Sequence, residues 1–296
     1  MHKIVVFGII YRNHSTLSGF ISSIACSAMQ AVNLHGQLSK VTLYLLDNSE
    51  LTKEQSQNYK KEFENTNSLT INVIYLAMKN NLGYLGPLPF AQSLLKKMNE
   101  FSDIVIYSNT DILFDVNFFR KLEINYTGNV NKAELVAPSI IIKTSGFDQN
   151  PKYINKPKLA HLNFLKKIYS SFLLAVLYEA ASFIKILLSL SLNFFTKASA
   201  YKDTSLQLSS YSIYAAHGAC FIFADTSFFM SIPRYPIFLF GEELYIAELA
   251  AKKKFKTVYD PSLVVYDIRH SSISSLPNAK RVKLMHESIA YLCRWL

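Results

Sequence analysis

The tripeptide Asn109-Thr110-Asp111 closes a short apolar run, Ile104-Val105-Ile106-Tyr107, and another run, Ile112-Leu113-Phe114, follows at once. Residues of this kind, bounded this way, read as a buried strand. A carboxylate at the end of such a strand is costly unless water, a donor or a metal satisfies it. In open α/β sheets the carboxyl ends of the strands are also where ligands bind. A hard divalent cation holding a diphosphate is therefore a natural partner for Asp111. The same residue could instead cap the next helix, since Val116 to Lys121 looks helical. A second acidic feature, Glu242-Glu243, follows the aromatic run from Pro236 to Phe240 and begins a helix. Adjacent carboxylates there are stabilised as anions by the helix dipole. One of them, facing a pocket, can work as a general base. Turned to water, the pair is an ordinary helix start.

The elements that must position these groups alternate. Lys3 to Ile10 reads as a strand, Ser15 to Leu34 as a helix, and Lys40 to Leu46 as a strand ending in Asp47-Asn48-Ser49-Glu50. Leu51 to Asn65 is a polar helix and Leu69 to Leu76 a strand, followed by the loop Lys79 to Pro87. Phe90 to Phe101 is a helix that leads into the Ile104 strand. Strands separated by helices imply βαβ units and a mostly parallel sheet flanked by helices. Later, Tyr214 to Phe223 reads as a strand with small residues at its entry.

Composition narrows the class. The 296 residues are 50% hydrophobic and 14% aromatic, enough for a sizeable core and against global disorder. Three scattered cysteines (Cys26, Cys220, Cys293) argue against a disulfide framework or a zinc site and fit a reducing compartment. The N-terminal apolar run is short, is interrupted by Tyr11-Arg12-Asn13-His14 and lacks a cleavage site, so a first strand is expected there and a cytosolic-facing protein. The net charge of +10 calls for an anionic partner or a solvated basic surface. No nucleic-acid recognition motif accompanies it, which leaves an anionic membrane surface as the alternative partner.

Residues 151 to 203 break the alternation. Ile168 to Phe195 is strongly apolar but carries Glu179 and Lys185, and its charge-free stretches fall short of the ~20 residues a spanning helix needs. Ser171, Ala175, Tyr178/Glu179, Ser182, Lys185, Ser189 and Asn193 form a thin polar stripe at helical spacing. Such a helix can lie in the membrane interface, with Lys152, Lys156, Lys158, Lys166, Lys167, Lys197 and Lys202 at its flanks. A hairpin packed on the domain, or one buried in a homodimer, would serve the same apolar face.

The order of the motifs resembles the family 2 glycosyltransferases of the GT-A fold, especially their bacterial rhamnosyltransferase-like branch that builds surface polysaccharides. The resemblance covers most of residues 3 to 110 and 211 to 275. Ile9-Ile10-Tyr11-Arg12-Asn13 is similar to the opening strand and turn, with Arg12 where the family has Asn. Asp47-Asn48-Ser49 resembles the segment whose Asp contacts the nucleotide base, and Asn81-Leu82-Gly83-Tyr84 the loop beside the nucleotide sugar. Asn109-Thr110-Asp111 stands at the acidic motif, so the resemblance implies metal binding by Asp111. Gly218-Ala219 resembles the segment that shapes the acceptor side. Glu242-Glu243 aligns with the Glu-Asp pair in which the second acid is the base, here Glu243. The segment Tyr259 to Ser272 is similar to the closing strand; Asp267 falls at the family's metal-ligating His by spacing, and His270 lies three residues later.

The resemblance thus implies one GT-A domain over 1–296 with a helical insertion at 151–203. It implies an inverting enzyme using Mn2+ or Mg2+, a UDP- or dTDP-linked sugar donor and a lipid-linked saccharide acceptor. Its implied setting is the cytoplasm, peripheral to the inner face of the bacterial plasma membrane, in O-antigen or capsule synthesis. The replacements at Arg12, Asn109 and Asp267 leave open a catalytically silent module of the same fold that binds a nucleotide sugar or docks a membrane assembly. A nucleotidyltransferase would want a glycine-rich loop after the first strand, and Tyr11 to Ser15 contains no glycine.

Overall fold

All seven residues of β1 (Ile4–Ile10) are buried, which requires cover on both faces of the sheet. In the computed structural model, which describes residues 2–35, 40–97, 102–127, 133–181, 209–268 and 278–296, that cover is present. Ile4, Val6 and Ile10 pack with Leu17, Phe20 and Ile24 of α1 (Leu17–His35), whereas Val5, Phe7 and Ile9 pack on the opposite side with Leu88 and Ala91 of α3 (Leu88–Lys97). The alternation follows from the two-residue period of a strand. Gly8 falls on the α1 face, where a Cβ would come within 2.9 Å of both Phe20 and Thr110.

β1 pairs in parallel with β2 (Val41–Asp47) and β4 (Ile104–Asn109), and β2 with β3 (Ile71–Ala77). Between β2 and β3 runs α2 (Lys53–Glu64), opened by a capping box in which the Thr52 hydroxyl accepts from Gln55 N and the Gln55 side chain accepts from Thr52 N. These are the expected βαβ units.

The later elements no longer all run the same way. They are β5 (Ile112–Phe114), α4 (Phe118–Tyr126), β6 (Leu135–Ile142), α5 (Leu159–Tyr169), α6 (helical over 172–181 within the described residues), β7 (Tyr211–Ser212), β8 (Cys220–Phe223), α7 (Thr226–Ser231), α8 (Glu242–Lys252), β9 (Thr257–Asp267) and α9 (Asn278–Trp295). The sheet runs β3-β2-β1-β4-β8-β6-β9-β5, with β7 on β9. β8 is antiparallel to both β4 and β6, and β6 returns to parallel pairing with β9. The longest pairings are parallel, so the architecture is the expected α/β sheet flanked by helices.

Three expectations change. Asp111 does not cap a helix: β5 intervenes, and the residue before α4 is Asn117. The strand expected over Tyr214 to Phe223 is confined to β8, because residues 213–219 form a loop whose Ala215 pairs with Tyr153. In α6, Ala175 is buried, and Glu179 pairs with Arg281 of α9 and accepts from the Tyr169 hydroxyl of α5. The polar stripe is therefore turned toward the protein, while Phe172, Leu173, Leu174, Val176 and Leu177 are exposed. The part of the stripe from Ser182 to Asn193 lies outside the described residues.

Candidate active site

The carboxyl ends of β1, β2 and β4 open onto a cavity of about 630 Å³, into which Tyr11, Asn48 and Asn109 project from three different strand ends. The loop after β3 supplies Asn81, Gly83 and Tyr84 to the same wall. Its shape is dictated locally. The Asn81 side chain accepts from Gly83 N at 3.0 Å, and Asn48 Nδ2 donates to the Gly83 carbonyl at 2.9 Å. Gly83 has φ +75°, and a Cβ there would overlap the Phe238 carbonyl oxygen. Only glycine satisfies both conditions.

Asp47 sits behind this wall and is not among the cavity residues. It is buried, with its Oδ2 2.6 Å from His14 Nε2 and also accepting from the Tyr75 hydroxyl, while Oδ1 accepts from Ser49 N at 2.8 Å. Burial pushes the carboxyl up, but the hydrogen bonds from His14, Ser49 and Tyr75 together hold it below the usual carboxylate range. Its neighbour Asn48 faces the cavity instead.

Asp111 lines the cavity two residues beyond β4. Across the sheet, Asp267 pairs in register with Ile112, and Ile268 N donates to the Asp111 carbonyl, so Asp111, just before β5, lies next to the end of β9. Asp267 is not a cavity residue; its Oδ2 accepts from Gln149 Nε2 at 2.6 Å. Among the described residues no group of three or more His, Cys, Asp or Glu side chains converges to hold a metal. The donors at hand are carboxylate and amide oxygens, the kind that suits Mg2+ or Mn2+. They fit an ion that completes its shell with a ligand's own oxygens, as magnesium does on phosphates. His270 lies outside the described residues.

The opposite wall is built on α8. Gly241 precedes it with φ +79°, and a Cβ there would strike Ser288 and Leu292 of α9, so glycine lets the helix start against α9. Glu242 is buried, its Oε1 accepting from Phe240 N at 2.9 Å. Burial, then the charge of Glu243, pushes its carboxyl up to about 8. Glu243 lies 3.5 Å from Lys152 Nζ and beside Gly218. Burial raises this acid too, but Lys152 and then His217 outweigh it, and the net shift is downward. His217 Nδ1 accepts from Ala219 N at 3.2 Å, which leaves the ring proton of the neutral imidazole on Nε2. Burial keeps that ring below its ordinary value. The cavity continues between α5 and α9 along an apolar lining that includes Leu162, Leu165, Met285 and Ile289.

Of the residues singled out from sequence, Tyr11, Asn81, Gly83, Asn109, Asp111, Glu242 and Glu243 share one cavity; Asp47 and Asp267 stand just behind it. Sequence gives no role to Lys152 or His217. His217 stands beside the Gly218-Ala219 segment, which is the available signal, whereas Lys152 reads in sequence as one more basic flank of the apolar insertion. In the structure Lys152 points into the cavity and Lys156 pairs with Glu248 at 2.8 Å, so neither is part of a free basic flank.

An α/β sheet with a ligand-sized cavity at its strand ends is the arrangement of the GT-A glycosyltransferase fold. The chain is similar to the crystal structure of GalNAc-T7 with UDP, GalNAc and Mn2+, with a TM-score of 0.55 and 13% identity over 92% of its length. It spans 44% of that neighbour's chain, and at this identity the likeness establishes the fold. No protein-family model matches the chain, and no curated protein matches it in sequence.

Proposed function

We propose that the protein is an inverting, metal-dependent glycosyltransferase that moves a hexosyl or deoxyhexosyl group from a UDP- or dTDP-linked donor to a hydroxyl of a lipid-linked saccharide. One observation carries this reading: Asn81, the Asn109–Asp111 pair and Glu243 come from three separate segments and line one cavity at the strand ends. The donor's diphosphate belongs at the Asp111 end and the acceptor at the Glu243 end. Asp111 would hold Mn2+ or Mg2+, with Asp267 or His270 as its second ligand. The ion, when bound, supplies the positive charge that offsets the departing diphosphate. Glu243 takes the proton of the acceptor hydroxyl as that oxygen bonds to the anomeric carbon. The bond from that carbon to the diphosphate oxygen breaks on the opposite side, so configuration inverts without a covalent enzyme intermediate. Asn48, Asn81 and the Gly83 loop orient the nucleotide.

The exposed apolar face of α6 supports a peripheral position on a membrane, where a polyprenyl-linked acceptor would be met; no helix among the described residues is long and apolar enough to cross one. The inner face of a bacterial plasma membrane and a role in surface-polysaccharide synthesis complete the proposal. The test is release of nucleoside diphosphate from a panel of sugar nucleotides, with Mn2+ and a lipid-linked saccharide. Wild type should release it with at least one donor, and Asp111→Asn should abolish release while keeping the melting temperature. An Asp111→Asn variant with normal turnover removes the metal assignment. Donor binding without release by wild type favours the catalytically silent module of the same fold.

A further inference from the structure

Lys152 lines the cavity and has no part in the function above. Its position is built. Asp148 accepts from Ile140 N at 2.9 Å and from the hydroxyls of Ser139 and Tyr259 at 2.6 Å each, tying residues 148–150 to β6 and β9. Asn150 Nδ2 donates to the Pro138 carbonyl at 2.7 Å, and its Oδ1 accepts from His217 N at 2.7 Å. Tyr153 then exchanges backbone hydrogen bonds with Ala215. Lys152 is thus clasped on either side, and both clasps grip the loop that carries His217. The same Asn150 therefore places Lys152 and His217 around one carboxylate, Glu243.

We propose that Lys152 is a positioning residue of this site, its ammonium pairing with Glu243 and turning that carboxylate, rather than its neighbour Glu242, toward the acceptor. The inference rests on the reading of Glu243 as the base. The pair stands 3.5 Å apart, longer than the 2.7–2.9 Å of a closed charge-assisted hydrogen bond, and the carboxylate has further lone pairs with which to meet an acceptor hydroxyl. Two ionised glutamates side by side repel each other. A cation on one of them assigns the charge to that one and leaves the proton on the other, and the directions at Glu243 and Glu242 agree with this. The other titratable groups around Glu243 are Tyr84 from the loop after β3, Tyr153 beside Lys152, His217 before β8 and Tyr235 before α8. Lys152 is the cation among them at neutral pH, since burial keeps His217 below its ordinary value.

The experiment is a carboxyl titration by 13C NMR of the full chain labelled at glutamate, on wild type, Lys152→Met and Lys152→Arg, with Glu243→Gln assigning the resonance. Lys152→Met should raise the Glu243 midpoint by at least one pH unit, and Lys152→Arg should restore it. An unchanged midpoint in a folded Lys152→Met protein overturns the proposal, with or without turnover. In parallel, the acid limb of kcat/KM should move up with the carboxyl. Below the limb, Lys152→Met then runs ~10-fold slower for each pH unit by which the limb has moved, recovering above it. A carboxyl that titrates higher while the rate profile stays put leaves the pairing standing and overturns the base assignment beneath it. Should Lys152→Met fold poorly, Lys152→Gln gives the same titration with a polar side chain.

Discussion

Glu242 and Glu243 are adjacent in the chain and opposite in surroundings, which makes their roles separable by measurement. Glu243→Gln keeps size and hydrogen bonding but removes the basic oxygen, so turnover should fall by the 10²–10⁴-fold typical of a lost general base while donor binding persists. A larger loss for Glu242→Gln would reverse the two roles. Glu242 makes a second, independent prediction through stability. Its carboxyl is raised to about 8 in the folded chain and reverts to about 4.3 on unfolding. Between those values the native state holds a proton that the unfolded state has released, so stability falls as pH rises, and the fall is complete above the folded value. Glu242→Gln has no such proton. Its melting temperature should gain on wild type from pH 5 to pH 8.5, and a constant difference across that interval would remove the assignment. Sequence could mark this pair as a helix start with charge. The contrast between the two acids was hidden because its causes, the burial of Glu242 and the placing of Lys152 and His217 beside Glu243, are set by tertiary contacts. Asp47 was misleading for the same reason: a carboxylate at a strand end looks available until His14 and Tyr75 close on it.

At the scale of elements, what could be read followed from local pattern. The βαβ half was visible because its strands are mostly apolar runs separated by stretches of helical pattern. β8 was overextended because Ala215 and Ala216 are buried in a loop and look like strand residues, while Tyr153 supplies the pairing from elsewhere. The sense of α6 was also closed to sequence, since a thin polar stripe has the same spacing whether it faces water or protein. Facing protein, it leaves the apolar residues from Phe172 to Leu177 without cover from the described residues, with Leu173 66% and Leu177 57% exposed. A patch of that kind calls for lipid or another surface. Flotation with anionic vesicles should therefore carry wild type upward and leave Leu173→Glu plus Leu177→Glu behind, with weaker flotation at higher salt from the basic contribution. Equal flotation of both proteins, or none for wild type, would assign that face to a second copy of the chain or to a packed hairpin.

Across the whole molecule, β4 is the seam. It is parallel to β1 and antiparallel to β8, and the cavity takes Tyr11, Asn48 and Asn81 from one side of it, Asn109 from its own end, and Lys152, His217 and Glu243 from the other. The net charge of +10 is what remains once every acidic residue has been set against a basic one, so pairs such as Lys156–Glu248 and Arg281–Glu179 leave it unchanged. The seam also sets a clock. β1, β2 and β3 find one another across single helical crossovers, whereas Val105 must wait for Phe223 and Leu135 for Thr257, far along the chain. Loop closure over such separations is slow. On refolding from urea, β1, β2 and β3 should therefore form first and the Asp111–Asp267 contact and the glutamates arrive later, so that amide protection of those three strands recovers ahead of nucleoside diphosphate binding and turnover. Each newly folded chain would pass through an interval in which one wall of its cavity stands complete and faces nothing.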